Sequence, residues 1–329
     1  MPRKKAMAAA MFWTRSSRFV SLAIPLAVLS TGVVRADLVV TPPATNTAQT
    51  LDQWHDQMDA QLQRVARKLD SFFKRADDPE STGKSTGRVR LMLNIQDAET
   101  PSLNAAFSGK LALPCAEERL HLFVDNIKRG ALPGAEDPTT SDNTLQAGLR
   151  FWLLRELRSR LSFESGVKFR GIPDPFGQVE FQYERKLDGW LGRFTQDAFY
   201  YAKERAGELT QVDVERAFRN QSVLRSTTAA QYTEESNGVE FEQTLLYDLP
   251  LHGRGRNLIP SASVFAHRNG SFLMDDYRVN ITYRTSFFRP WLILEVTPQI
   301  EFPRERDYTF TPSLRIGFEI WLGSLPEDR

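Results

Sequence analysis

The stretch TFTPSLRIGFEIWLG (residues 309–323) is apolar at every second position: Phe310, Pro312, Leu314, Ile316, Phe318, Ile320 and Leu322. Between them stand Thr311, Ser313, Arg315, Gly317, Glu319 and Trp321. Successive side chains of a strand point to opposite sides, so this strand has one apolar face and one that carries charge. The whole chain is hydrophilic on average, with a mean hydropathy of −0.39. Its apolar side chains must therefore be concentrated on chosen faces.

The same period of two recurs upstream. RVRLMLNI puts Val89, Leu91, Leu93 and Ile95 on one side. RLSFESGVKFR sets Leu161, Phe163, Val167 and Phe169 against Ser162, Glu164, Lys168 and Arg170. QVEFQYE, YRVNITYR and LILEVTPQIEF repeat the pattern at 178–184, 277–284 and 292–302. Weaker versions span 103–113, 119–127, 144–154, 193–203, 210–220, 222–233, 238–249 and 257–268. This makes about fourteen segments of roughly ten residues, or about twelve if 210–233 folds otherwise.

Alternation alone also suits a soluble periplasmic β-sandwich binding protein, with one face on a core and one in water. Segment length favours a membrane, because about ten residues cross a bilayer at a tilt while soluble strands average about five or six. Trp152, Trp190, Tyr232, Tyr247, Phe287, Phe288, Trp291 and Trp321 sit at segment ends, as interfacial girdles would. Lipid offers no hydrogen-bond partner, so a spanning sheet has to close. The expectation is an all-β, antiparallel transmembrane barrel of about fourteen strands over 88–323, preceded by one amphipathic helix.

The N-terminus agrees with export. Residues 1–36 combine Arg3, Lys4, Lys5, Arg15 and Arg18 with an apolar stretch from Phe19 to Val34, then Val34-Arg35-Ala36, a small-x-small cleavage pattern. Pro25 and Gly32 interrupt that stretch, which is short for a spanning helix. Cleavage after Ala36 would leave 36 Lys and Arg against 41 Asp and Glu, a net charge of −5. That is no profile for nucleic-acid binding. Cys115 is the single cysteine, so no intramolecular disulfide can form.

Arg315-x-Gly317-x-x-Ile320-x-Leu322 resembles the C-terminal assembly signal of bacterial outer-membrane β-barrel proteins: a polar residue, a glycine and two spaced hydrophobics. The chain runs on as Gly323–Arg329, where many members of that class stop at a terminal aromatic. The resemblance implies a Gram-negative outer membrane, contact with its lipid, and delivery by the barrel assembly machinery. It also implies that both chain ends are periplasmic. Periplasmic turns then fall at Pro114–Glu118, Arg155–Ser159, Leu187–Gly192, Leu251–Asn257 and Arg289–Pro290. External loops fall at Lys128–Asn143, Ile172–Pro175, Lys203–Leu209, Glu234–Gly238, Asn269–Asp275 and Arg304–Tyr308. A six-residue tail, 324–329, ends the chain.

Between the leader and the barrel, 37–87 divides into an amphipathic helix over about 48–75 and a polar linker. Leu51, Trp54, Met58, Leu62, Val65, Leu69 and Phe72 follow at steps of three or four, and Thr50 with Gln53 suits a capping box. The helix could plug the barrel, or hang in the periplasm and bind a partner. Gly83-Lys84-Ser85 looks like the end of a phosphate-binding loop, but the glycine that loop needs is Asp78, whose charge would repel phosphate.

Little else on the barrel carries chemistry. QYTEESNGVEF (231–241) is similar to the His-x-Ser-Asn motif of lipid-cleaving barrels such as outer-membrane phospholipase A and lipid A deacylases. Ser236 and Asn237 match it, but Glu234 holds the histidine position. A carboxylate is a poor base for a serine, and Asn237-Gly238 also reads as a hairpin turn. His55, His121, His252 and His267 lack metal-ligand spacing, and no cofactor is indicated. The inward face should carry Arg150, Glu164, Lys168, Glu180, Glu184, Arg278, Arg284, Glu295, Glu301, Arg315 and Glu319. They would serve either as a selectivity lining or as an ion-pair network that fills the interior. The expected protein is a non-enzymatic barrel, either a small-solute channel or an envelope structural protein. A lipid-modifying enzyme with a degenerate site at Ser236 is the alternative.

Overall fold

The computed structural model describes residues 47–70, 85–97, 99–112, 120–125, 145–170, 172–203, 205–234, 238–253 and 255–323. The expected signal peptide, most of the expected polar linker, Phe72, Pro114–Glu118, Lys128–Asn143, Ser236-Asn237 and the 324–329 tail lie outside these residues.

A helix, α1 (Thr47–Asp70), precedes fourteen strands. The first seven are β1 (Thr86–Gln96), β2 (Ser102–Ala112), β3 (Leu120–Asp125), β4 (Leu145–Arg155), β5 (Ser159–Arg170), β6 (Ile172–Leu187) and β7 (Trp190–Tyr201). The rest are β8 (Arg205–Ala217), β9 (Val223–Thr233), β10 (Gly238–Pro250), β11 (Asn257–Asn269), β12 (Ser271–Ser286), β13 (Leu292–Pro303) and β14 (Thr311–Leu322). Each strand pairs antiparallel with its sequence neighbour, and β1 pairs with β14. The sheet is a closed barrel, not a sandwich. Closure satisfies backbone donors and acceptors that an open edge would expose.

The opening stretch is the closing strand. Leu314, Ile316, Phe318, Ile320 and Leu322 lie opposite Ile95, Leu93, Leu91, Val89 and Gly87 of β1, all on the outward face. Ser313, Arg315, Gly317, Glu319 and Trp321 lie opposite Gln96, Asn94, Met92, Arg90 and Arg88. Outward residues in mid-strand stay open, with Val279 at 50% and Ile281 at 46% exposure.

Several boundaries differ from the sequence expectation. Both segments within 210–233 are strands, which makes fourteen rather than twelve. Three expected loops shrink because strands extend into them. Ile172–Pro175 belongs to β6, with Arg170 opposite Ile172. Residues 205–209 open β8, with Tyr201 opposite Arg205. Residues 271–275 open β12, where Gly270 at φ +79° makes the turn. Pro173, Pro175 and the Asp275-Asp276 pair hid two of these extensions. A bulge between Phe265 and Ala266 shifts the phase of the third hairpin's alternation. β1 begins at Thr86, inside the expected linker; α1 is described over Thr47–Asp70, and 71–75 of the expected helix lie outside the described residues.

Candidate functional site

The inward face gathers the polar side of every strand into one surface. β4 and β5 place Arg150 against Glu164, joined as an ion pair, with Glu164 fully buried. Lys168, four residues further along the same face of β5, lies 4.9 Å from the centre of the Tyr201 ring. Glu180 of β6 lies opposite Ser162 and Asp197. Glu184 accepts from Arg193 of β7 at 3.1 Å. Arg193 also reaches Glu215 at 3.4 Å and Asp213 at 3.9 Å, and Arg225 of β9 continues the chain to Glu215 at 2.9 Å.

A second network spans β12, β13, β14 and β1. Arg278 donates to Asp276 at 3.0 Å and lies 3.4 Å from Glu301. Arg284 lies 3.2 Å from Glu295 and 3.4 Å from Glu319. Glu319, 2% exposed, also accepts from Arg90 at 2.8 Å. Arg315 stands opposite Asn94 on one side and Thr297 on the other. Gly317 faces Met92, whose Sδ lies where a Cβ at this position would stand.

The eleven charged residues singled out from sequence therefore share one surface, but in several groups with partners the sequence did not suggest. Arg90, Arg193, Asp197, Asp213, Glu215, Arg225 and Asp276 belong to the same surface. Arg90 was legible, because it alternates with Val89 and Leu91. The β7, β8 and β9 charges sit in segments whose apolar face is broken by Ala and Thr, so their phase was hard to read.

The interior also holds aromatics that a simple inside-polar rule assigns to lipid. Phe123, Phe176, Phe199 and Tyr201 form one buried cluster, with Phe176 and Tyr201 rings 5.3 Å apart and Phe199 edge-on to Tyr201 at 5.6 Å. Glycines make room for them: a Cβ on Gly148 would meet Phe123 Cζ at 2.8 Å, and one on Gly207 would overlap Phe199. Leu209, Ala229 and Phe265 form a second cluster, and Arg278 lies 4.8 Å over Phe265. Two expected girdle residues are also inward: Trp152 is covered by Arg150 at 5.6 Å, and Trp321 by Arg88 at 5.7 Å.

At one rim the barrel meets α1. Asp52 accepts two hydrogen bonds from Arg289, at 2.7 and 2.6 Å, in the turn between β12 and β13. His55 stacks on Trp291 at 4.2 Å, and its Nε2 lies 2.8 Å from the Trp321 carbonyl oxygen. Gln63 donates to the Ser85 carbonyl at 3.0 Å. Three elements distant in sequence thus converge on the place where β14 closes on β1. Scattered histidine spacing gave no hint of His55's role.

No protein-family model matches the chain, and no curated protein matches it. Several solved structures do. The outer membrane protein OmpT of Vibrio cholerae aligns at 9% identity over 72% of this chain and 98% of its own, with a TM-score of 0.42. OccK10 (OpdN) of Pseudomonas aeruginosa aligns at 11% identity over 74% and 100%, with a TM-score of 0.44. OprB of Pseudomonas putida aligns at 9% identity over 73% and 93%, with a TM-score of 0.46. At these identities and TM-scores the likeness carries nothing about activity or substrate.

Proposed function

We propose that this chain is a non-enzymatic barrel of the Gram-negative outer membrane that passes small solutes through its interior. One observation carries the reading: the arginines of the inward face stay accessible, although several of the acids beside them are buried. Arg150 keeps 21% of its side-chain surface, Arg193 25%, Arg90 31%, Arg284 32% and Arg225 44%. A solid interior would bury them, as eight-stranded barrels bury theirs, while barrels of sixteen strands hold an aqueous channel. Fourteen strands stand between those cases, and the accessible arginines favour water. The outward apolar face contacts outer-membrane lipid, and Arg315, Gly317, Ile320 and Leu322 present the signal read by the assembly machinery.

Within such a channel, Arg193 offsets part of the charge of three carboxylates, Glu184, Asp213 and Glu215. Arg193→Ala would leave Glu184 and Asp213 without it and Glu215 with Arg225 alone, which makes that wall more negative. The test is planar-bilayer recording of the refolded full chain. Stepwise conductance is expected, and Arg193→Ala should move the reversal potential in a salt gradient toward cation preference. A barrel that inserts and resists unfolding in detergent until boiled, yet never conducts, overturns the channel and leaves the envelope structural role.

A further inference from the structure

We propose that α1 is an interfacial helix whose stripe Leu51, Trp54, Met58 and Val65 lies against membrane lipid beside the closing seam. The inference rests on the membrane reading above and goes beyond it, since a helix next to a barrel can face the interior, the periplasm or another protein.

The position of Leu62 decides between these. Its Cδ2 lies 3.3 Å from where a Cβ of Gly87 would be, beside Leu322. Gly87 and Leu322 pair on the outward face, so α1 touches the outer wall of the barrel rather than its interior. Outward positions at this end are covered while those elsewhere are open: Leu322 is 3% exposed and Leu111 6%, against 50% at Val279. α1 contacts both β14 and β2, which carry the two covered leucines.

The rotation of the helix follows from its contacts. At 3.6 residues per turn, Asp52, His55, Asp59 and Gln63 fall along one side. Three of them bond the rim: Asp52 to Arg289, His55 to the Trp321 carbonyl and Gln63 to the Ser85 carbonyl. Leu62 lies between that polar side and the apolar stripe, and it touches the outer wall. Going around the helix, the order is therefore rim, outer wall, stripe. The stripe points outward, next to the apolar band of the barrel. It is exposed there, with Leu51 at 39%, Trp54 at 43% and Val65 at 51%.

Lipid is the occupant that fits. The stripe continues an apolar surface, and Trp54 offers the ring that membrane interfaces favour. Arg64, exposed and next to Val65 along the chain, suits headgroup phosphates. A helix that is hydrophilic overall but carries one apolar stripe lies in an interface rather than across it. No described helix is long and apolar enough to span.

The test uses the full chain with Cys115→Ser, refolded into phosphatidylethanolamine and phosphatidylglycerol vesicles that contain nitroxide-labelled lipid. An environment-sensitive fluorophore is attached in turn through Trp54→Cys, Val65→Cys, Gln57→Cys and Ile281→Cys. The expected result is blue-shifted emission at 54 and 65, quenching by the labelled lipid and protection from aqueous iodide. Position 281, on the barrel's outward face, should behave the same way, and position 57 should show the reverse. If 54 and 65 behave like 57 while 281 is quenched by lipid, the stripe faces water and the inference falls alone. Blue-shifted emission at 54 and 65 without lipid quenching means a protein covers the stripe, whether a second copy or a periplasmic partner, and also overturns it. If 281 itself escapes the labelled lipid, the membrane reading fails first.

Discussion

Two parts of the interior wall show how one alternation can be held in two ways. At the seam, β1 meets β14 across 229 residues of sequence, and the facing positions are charged: Arg90, Glu319 and, one strand further on, Arg284 with Glu295. From β3 to β8 the facing positions include rings and glycines: Phe123, Phe176, Phe199 and Tyr201 beside Gly148, Gly166 and Gly207. Hairpin neighbours find their register through the turn between them, so that wall needs only volume to be filled. The seam has no turn. A slip of one residue there would carry Glu319 to the outer face and leave Arg90 facing an apolar side chain, so the charges penalise every wrong register.

Breaking the seam should have the largest effect. Glu319→Ala leaves Arg90 and Arg284 without a shared carboxylate. We expect a loss of about 3 kcal/mol, the low end for a broken buried pair because both arginines are partly exposed. The readout is the temperature at which the unheated and boiled forms become indistinguishable on a cold detergent gel, which should fall clearly. An unchanged temperature would mean that these charges act as solvated surface pairs and that register is set elsewhere.

The glycine wall sharpens the contrast from the other side. A Cβ on Gly166 would overlap the Ala147 carbonyl oxygen and approach Gly148 Cα at 2.8 Å, so Gly166→Ala forces two backbones apart. About 2 kcal/mol should be lost. On the next strand a Cβ at Gly177 would meet nothing nearer than 3.9 Å, and Gly177→Ala should stay within about 0.5 kcal/mol. Equal effects at the two sites, by the same gel, would show that propensity rather than close approach selects glycine here.

This contrast also marks what was legible beforehand. Strand number and closure follow from alternation, because the period of two survives in nearly every segment and lipid forbids an open edge. Arg150, Glu164, Arg284 and Glu319 could be assigned to one face by parity alone. Their partners could not, since pairing depends on which strands adjoin and on bulges such as those after Trp152 and Phe265. Phe176 and Tyr201 were misleading for a different reason: a ring beside a glycine fits an interior that a polarity rule reserves for charge. The docking of α1 was invisible, because apart from Leu62 its contacts use Asp52, His55 and Gln63 against one arginine, one ring and backbone carbonyls, none of which leaves a periodic signal.

The helix supplies the smallest predicted effect, and it tests whether α1 belongs to the seam at all. The two hydrogen bonds from Arg289 hold the Asp52 carboxyl below its ordinary value of 3.8, and the nearby charges of Arg289 and His55 act in the same direction. A carboxylate whose folded value is lowered contributes stability that is fully present above the unfolded value and lost as pH falls through the folded one. Docking should therefore be insensitive to this group above 3.8 and weaken only below it. Because Asp52 is open to solvent, the loss should be modest, with His55, Leu62 and Gln63 still holding the helix. A nitroxide at Gln57→Cys in the Cys115→Ser chain would report this as increasing motion below pH 3.8. Asp52→Asn should show the looser spectrum already at neutral pH and change little on acidification. If the two chains give the same profile, the Asp52–Arg289 pair does not hold α1, and the weight of docking falls on the His55–Trp291 stack and the Leu62 contact with the outer wall.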